Sequence, residues 1–242
     1  VSTYRREKRD GECSMIIMKD VVKRYDNGIT ALNKVNVHIK RGEFVYLIGP
    51  SGAGKSTFIK LIYREETPTQ GLVKVGNKDI TRIKNKHIPL LRRDVGVVFQ
   101  DFKLLPRLTV YENVAYAMKV IEKKPREIKR RVTDVLDLVG LSDKAKMFPD
   151  EISGGEVQRV SIARAIANTP NVLIADEPTG NLDPETAEGI MAILEEINAK
   201  GTTVIMATHN NDIVNQLKHR VIAIEGGRIV RDEEKGEYLY EN

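Results

Sequence analysis

Cysteine is nearly absent from this 242-residue chain: Cys13 stands alone, which excludes an internal disulfide and a thiolate metal cluster and makes thiol chemistry an unlikely activity. Long apolar runs are missing as well. Stretches such as 15–18 and 172–175 fall far short of the roughly 20 residues that cross a bilayer, so no segment is expected to span a membrane. Residues 1–14 carry Arg5, Arg6, Lys8 and Arg9 with no apolar stretch after them, unlike a secretory leader. A cytosolic chain with a polar N-terminal arm is therefore expected. There is no internal repeat and no low-complexity tract. What remains is ordinary globular material: 39 Lys and Arg against 34 Asp and Glu, a formal charge of +5, and 41% hydrophobic residues. A chain of this size can bury a full core without staples, so disordered and small-scaffold classes are excluded.

Hydrophobic periodicity divides the chain. Leu32, Val35, Val37 and Ile39 alternate, and a compact run at 44–48 leads into a Gly-rich turn, which predicts strands followed by a helix over 54–64. Short β-rich pieces follow at 72–75 and 95–99. From about 109 to 168 the period is helical, with turn signals at Pro125, Gly140 and Pro149. Beyond Pro170 the pattern predicts a strand at 172–175, a helix at 184–199, a strand at 202–207, a helix at 211–217 and two strands flanking Gly226 and Gly227. Such alternation implies an α/β fold with a mainly parallel sheet and helices on its faces. Residues 15–108 and 169–242 are expected to form the core, 109–168 an inserted helical subdomain, and 1–14 the arm.

Three motifs carry chemistry. Gly49, Pro50, Ser51, Gly52, Ala53, Gly54, Lys55 and Ser56 match G-x-x-x-x-G-K-[ST] between a predicted strand and helix, the context of a phosphate-binding P-loop. Its glycines let backbone N–H groups wrap phosphates, Lys55 reaches the β/γ-phosphates, and Ser56, followed by Thr57, offers a hydroxyl to Mg²⁺. The buried-strand pattern at 172–175 ends in Asp176 and Glu177, at the strand end where open α/β sheets bind ligands. Asp176 is expected to hold Mg²⁺ and Glu177 to orient or deprotonate the attacking water. Ser153, Gly154, Gly155 and Glu156 open a helix. A capping box is the plain reading, and the same helix N-terminus is an anion site that a nucleotide on a second copy could occupy.

These motifs, with Gln100, Gly180-Asn181-Leu182-Asp183 and His209, occur in the order of the ATP-binding cassette (ABC) ATPases, which the chain resembles over about residues 15–235. The resemblance implies a P-loop NTPase core with an N-terminal antiparallel β piece and an inserted helical signature subdomain. It further implies that Tyr25 stacks on adenine, that Gln100 senses Mg²⁺ and the attacking water, and that His209 contacts the γ-phosphate. Ser153 and Gly155 would touch the γ-phosphate of the opposite protomer, and Asp183 would organise the seam of an ATP-sandwich homodimer. Two departures from the family pattern are Ile152 for the usual Leu and Val157 for a common Gln. Segments 61–65, 99–106 and 111–117 look most like the cell-division branch, whose cassette drives an FtsX-like membrane protein and, through it, cell-wall hydrolases. Lipoprotein-release and macrolide-efflux cassettes share 179–183 and remain an alternative, as does an ATP-gated scaffold with incidental turnover.

Two further stretches bear on partners. Phe102, Leu104, Leu105, Leu108 and Val110 crowd nine residues around Pro106. Most are expected to pack locally, the remainder forming a docking groove between Gln100 and Tyr111 for an integral membrane partner. Residues 119–131 hold seven basic groups against Glu122 and Glu127. A solvated helix face is the common meaning of such a run, and contact with anionic lipid the sharper one. No nucleic-acid motif accompanies the charge. The expected location is the cytoplasmic face of the cell membrane, as a peripheral protein.

Overall fold

The computed structural model describes residues 14–180 and 182–238. The arm up to residue 13, with Cys13, and Asn181 of the 180–183 motif lie outside the described residues. Ser14, placed with the arm on sequence grounds, is buried and opens the first strand.

Among the described residues, ten strands form two sheets. Strands β1 (Ser14–Arg24), β2 (Thr30–Lys40), β4 (Gln70–Val75) and β5 (Lys78–Asp79) make an antiparallel sheet in the order β2-β1-β4-β5. The second sheet runs β10-β9-β3-β8-β7-β6, from β3 (Phe44–Ile48), β6 (Val95–Val98), β7 (Val172–Asp176), β8 (Thr203–Ala207), β9 (Arg220–Glu225) and β10 (Arg228–Glu233). All its pairings are parallel except that of β9 with the edge strand β10. Its central strands are buried on both faces, and side chains alternate between two apolar layers. Phe44, Tyr46 and Ile48 enter one layer with Leu173, Val204 and Met206, while Val45 and Leu47 enter the other with Ile174 and Ile205. The continuous apolar runs of these strands follow from that double burial.

Helix α1 (Lys55–Ile62) follows the Gly-rich turn and packs Phe58, Ile59 and Ile62 between the two sheets. A second helix, α2 (Ile88–Asp94), and the hairpin of β4 and β5 were not foreseen from periodicity. The hairpin adds the strands that extend the antiparallel sheet beyond the N-terminal piece. Three helices, α3 (Val110–Lys119), α4 (Pro125–Leu138) and α5 (Gly154–Ile166), fill the middle of the chain, followed by α6 (Pro184–Ala199) and α7 (Asn211–Leu217). Apolar residues of α3, α4 and α5, among them Val114, Val132 and Ile162, share one buried cluster with Val204 and Met206 of the parallel sheet. No described helix is long and apolar enough to cross a membrane.

Arg131 departs from the other members of the basic run. It is half-buried and donates from Nη2 to the Ile166 carbonyl (2.8 Å) and from Nε to that of Ala167 (3.1 Å), capping the C-terminus of α5. A cation is favoured at that end of a helix by the dipole and by the unpaired carbonyls.

Candidate active site

The turn after β3 needs glycine at two positions. Gly49 has φ 145° and Gly54 φ 112°, backbone conformations that L side chains avoid. A Cβ at Gly49 would also strike the Ile224 carbonyl oxygen, and one at Gly54 that of Ala31. The loop thereby passes close under its neighbours and turns directly into α1, whose first N–H groups lack intrahelical partners. Lys55 folds back over the loop, donating to the carbonyls of Gly49 (2.6 Å) and Pro50 (3.1 Å). Ser56 is exposed and Thr57 buried. Beside the loop lies a cavity of about 270 Å³, lined by residues 29–31, 52–57 and 226–227.

Tyr25 is tied to this loop through its hydroxyl, 3.1 Å from Thr57 Oγ1. The Lys23 ammonium, paired with Glu66 at 2.7 Å, lies 4.8 Å from the Tyr25 ring centroid. The ring is thus held at the start of α1 by a polar anchor and a cation on its π face.

Register brings the other groups alongside. Leu47 pairs with Ala207, Ala207 with Asp176, and Ala175 with Val98. Gly49, His209, Glu177 and Gln100 each lie one or two residues beyond these partners, so four neighbouring parallel strands end in the four segments singled out by sequence. Glu177 has φ 51°, a strained value for a side chain with a Cβ. It is held there by its N–H bond to the Ala207 carbonyl (2.9 Å), and His209 Nδ1 lies 2.6 Å from Glu177 Oε2. Gln100 and His209 are exposed, and Asp176 and Glu177 half-buried. Burial first, and then the adjacent Glu177 charge, push the Asp176 carboxyl above its usual range, with Lys55 and Lys60 opposing. A divalent cation would offset that cost. The hydroxyl of Ser56, the amide of Gln100 and the carboxylate of Asp176 are hard oxygen donors of the kind Mg²⁺ takes, so the residues fit the ion.

Ser153 is the N-cap of α5 in a reciprocal box with Glu156: Ser153 Oγ accepts from the Glu156 N–H (3.4 Å), and Glu156 Oε2 accepts from the Ser153 N–H (2.9 Å). Lys144, 2.6 Å from Glu156, and the Ser153 backbone hold the Glu156 carboxyl below its usual range. Ser153 and Gly154 are exposed, with open space where a Gly154 side chain would stand. Gly155 packs against Thr186 so closely that a Cβ would collide with its methyl group. Asp183 caps α6 by accepting from the Thr186 N–H (2.9 Å). Ser153, Gly155, Thr186 and Asp183 therefore form one connected surface, separate from the residues lining the P-loop cavity.

Sequence reasoning missed the fasteners of this helix. Gln158, 1% exposed on α5, donates through Nε2 to the carbonyl of Pro178 (2.8 Å), next to Glu177. Arg164 on the same helix donates to the carbonyls of Lys103 (2.5 Å) and Phe102 (2.7 Å), both at positive φ just after Gln100. Asn113, fully buried in α3, donates to the carbonyls of Leu105 (3.1 Å) and Leu108 (2.9 Å) and accepts from the Leu105 N–H (2.8 Å). The available signal was a polar residue at an apolar-face position of each helix, which asks for a buried partner.

Residues 32–180 match the ABC transporter family. The chain is 65% identical to the cell division ATP-binding protein FtsE of Bacillus subtilis over 93% of its own length and 98% of that protein, and 54% identical to the Mycobacterium tuberculosis protein of that name over 93% and 98%. Among solved structures, the ATP-binding cassette MJ0796, a dimer in a post-hydrolysis state bound to ADP and Pi, superposes with a TM-score of 0.83. Identity there is 37%, covering 93% of this chain and 100% of that one. The likeness runs through the whole fold as well as the motifs, and the chain belongs to the ABC transporter family as an ATP-hydrolysing cassette.

Proposed function

We propose that this cassette is the ATPase subunit of a cell-division complex at the cytoplasmic face of the membrane. In that reading it closes as a head-to-tail homodimer on Mg·ATP and drives a separate FtsX-like integral membrane protein that controls cell-wall hydrolases. The observation that carries the ATPase chemistry is the alignment of four neighbouring strand ends, which sets the P-loop, His209, the Asp176–Glu177 pair and Gln100 side by side. Identity of 65% to the cell-division relative, over 93% of this chain and 98% of that protein, supports the division reading.

The P-loop N–H groups and Lys55 hold and neutralise the phosphates. Glu177 accepts a proton from the attacking water, and His209, already bonded to that carboxylate, fixes its orientation near the γ-phosphate. Ser56, Asp176 and Gln100 would hold Mg²⁺, which would supply charge neutralisation at the phosphates. Ser153, exposed at the start of α5, and the neighbouring Gly155 would complete the partner's site, with residues 109–168 acting as a signature subdomain. Phosphoryl transfer depends mainly on positioning and charge stabilisation, so a site divided between two chains is switched on by association. Tyr25 would stack on the base, a reading supported by its hydroxyl contact with Thr57 at the P-loop.

Lys55→Ala removes a charge-assisted contact to phosphate. Nucleotide affinity should fall at least about tenfold, together with turnover. Unchanged affinity for a fluorescent ATP analogue would count against the P-loop assignment.

The membrane partner is placed at the groove beside residues 100–111, a cavity of about 410 Å³ between Tyr63, Arg92, Phe99, Lys103 and Arg164. Within residues 100–111 Leu105 is 38% exposed, while Leu108 is partly buried, so Leu105 is the probe of this surface. Asn113 fixes the Leu105 backbone without using its side chain. Leu105→Asp should leave the isolated chain folded and turning over ATP, yet prevent co-purification with the FtsX-like protein in detergent. Undiminished association would reject this docking site. Association with a lipoprotein-release permease in its place would reject the division reading.

A further inference from the structure

The charge of this protein is concentrated in one place. Residues 116–131 hold seven basic and two acidic side chains, a net +5 equal to the formal charge of the whole chain, so the remainder is neutral in sum. Arg131 is withdrawn to cap α5, and Lys123 pairs with Glu127 at 2.6 Å. The other five cations are exposed and have no carboxylate within ion-pair distance among the described residues. Arg126, Lys129 and Arg130 stand exposed at i, i+3 and i+4 on α4, whose Ile128, Val132, Val135 and Leu136 are buried, so they form a single stripe. Lys119 and Lys124 flank the turn that leads into it.

A solvated helix face would account for the cations alone. It does not account for the apolar side chains set among them. Val120 is 62% exposed and Tyr116 49% exposed, and with Lys119 they occupy positions i, i+3 and i+4 of the end of α3, on one face. An apolar tip ringed by cations, with an aromatic ring beside it, is the composition that lies in a lipid headgroup layer. The tip also lies next in the chain to the proposed docking groove: Ala117 lines that groove, and Lys119 and Val120 stand two and three residues further along α3 and its end.

We propose that the tip formed by the end of α3, the following turn and the outer face of α4 rests on an anionic membrane surface. The cations would meet lipid phosphates, while Val120 and Tyr116 enter the interface. Its placement rests on the docking reading above. A vesicle assay contains no membrane protein, so failure of one is distinguishable from failure of the other.

The test is sedimentation of the full chain with vesicles of phosphatidylcholine containing about 30% phosphatidylglycerol, against pure phosphatidylcholine. Wild type should bind only the anionic vesicles and be released by about 0.5 M salt, where the Debye length shrinks to a few ångströms. The triple reversal Lys124→Glu, Arg126→Glu, Arg130→Glu should weaken binding at least about tenfold with turnover unchanged. If that variant melts early, the neutral Gln triple replaces it. Val120→Ser, at constant charge, should weaken binding about two- to threefold. Equal binding of wild type to both vesicle types, or undiminished binding of the folded triple variant, overturns the proposal. Displacement by a short DNA duplex together with indifference to Val120→Ser assigns the patch to nucleic acid and overturns it as well.

Discussion

Glu177→Gln should lower steady-state ATP turnover by about 10²–10⁴-fold, the range that general-base catalysis supplies, while leaving nucleotide affinity nearly unchanged. The amide keeps the shape of the side chain, and the P-loop contacts to phosphate do not involve it. What is lost is the carboxylate proposed to accept the proton of water, which faces His209 Nδ1 at 2.6 Å. The strained backbone at φ 51° and the N–H bond to Ala207 do not depend on the side-chain charge, so the strand end should keep its geometry. Dimers formed with ATP should then persist, because the step that dissolves them is blocked. Single-turnover hydrolysis with gel filtration in the presence of Mg·ATP measures both effects. Near-wild-type single-turnover hydrolysis would remove Glu177 from the role of base.

Ser153→Arg should abolish ATP-dependent dimerisation and reduce turnover to a basal level, while ATP binding by each monomer survives. Ser153 and Gly154 are exposed, and neither Ser153 nor Gly155 lines the P-loop cavity of its own chain. In the proposed dimer a large cation there would leave the protomer's own nucleotide untouched and occupy the approach of the partner's γ-phosphate. The substitution also removes the Ser153 cap on the Glu156 N–H, at a cost of about 1 kcal/mol. A thermal melt must therefore accompany the assay. A folded variant that still dimerises with full turnover would leave Ser153 with its capping role alone and would sink the divided-site mechanism.

Much of the active site was legible because its signals are local. The Gly49–Ser56 spacing, the apolar run before Asp176 and Glu177, and the Ser153–Glu156 box each depend on residues within a few positions of one another. Helices 184–199 and 211–217 have the bounds that the local pattern predicts, and in the structure Asp183 and Asn210 cap their first turns. Burial on both faces of β3, β7 and β8 was written in their unbroken apolar runs. The hairpin of β4 and β5 was harder to read, since β5 has only two residues and both are exposed.

The sequence by itself determined the list of chemical groups, the α/β class and the ends of helices 184–199 and 211–217. Tertiary structure decided which of those groups meet. The order β3-β8-β7-β6 sets Gly49, His209, Glu177 and Gln100 on adjacent strand ends although they are separated by up to 160 positions in the chain. Strand pairing of that kind depends on packing across the whole core, which no local period encodes. The same holds for individual side chains. Arg131 shares its charge with Arg130, yet one caps α5 and the other faces solvent. Leu105 and Leu108 share their chemistry, yet the first is the more open to a partner. Exposure is a property of what packs against a residue, and for these positions the packing elements come from distant parts of the sequence.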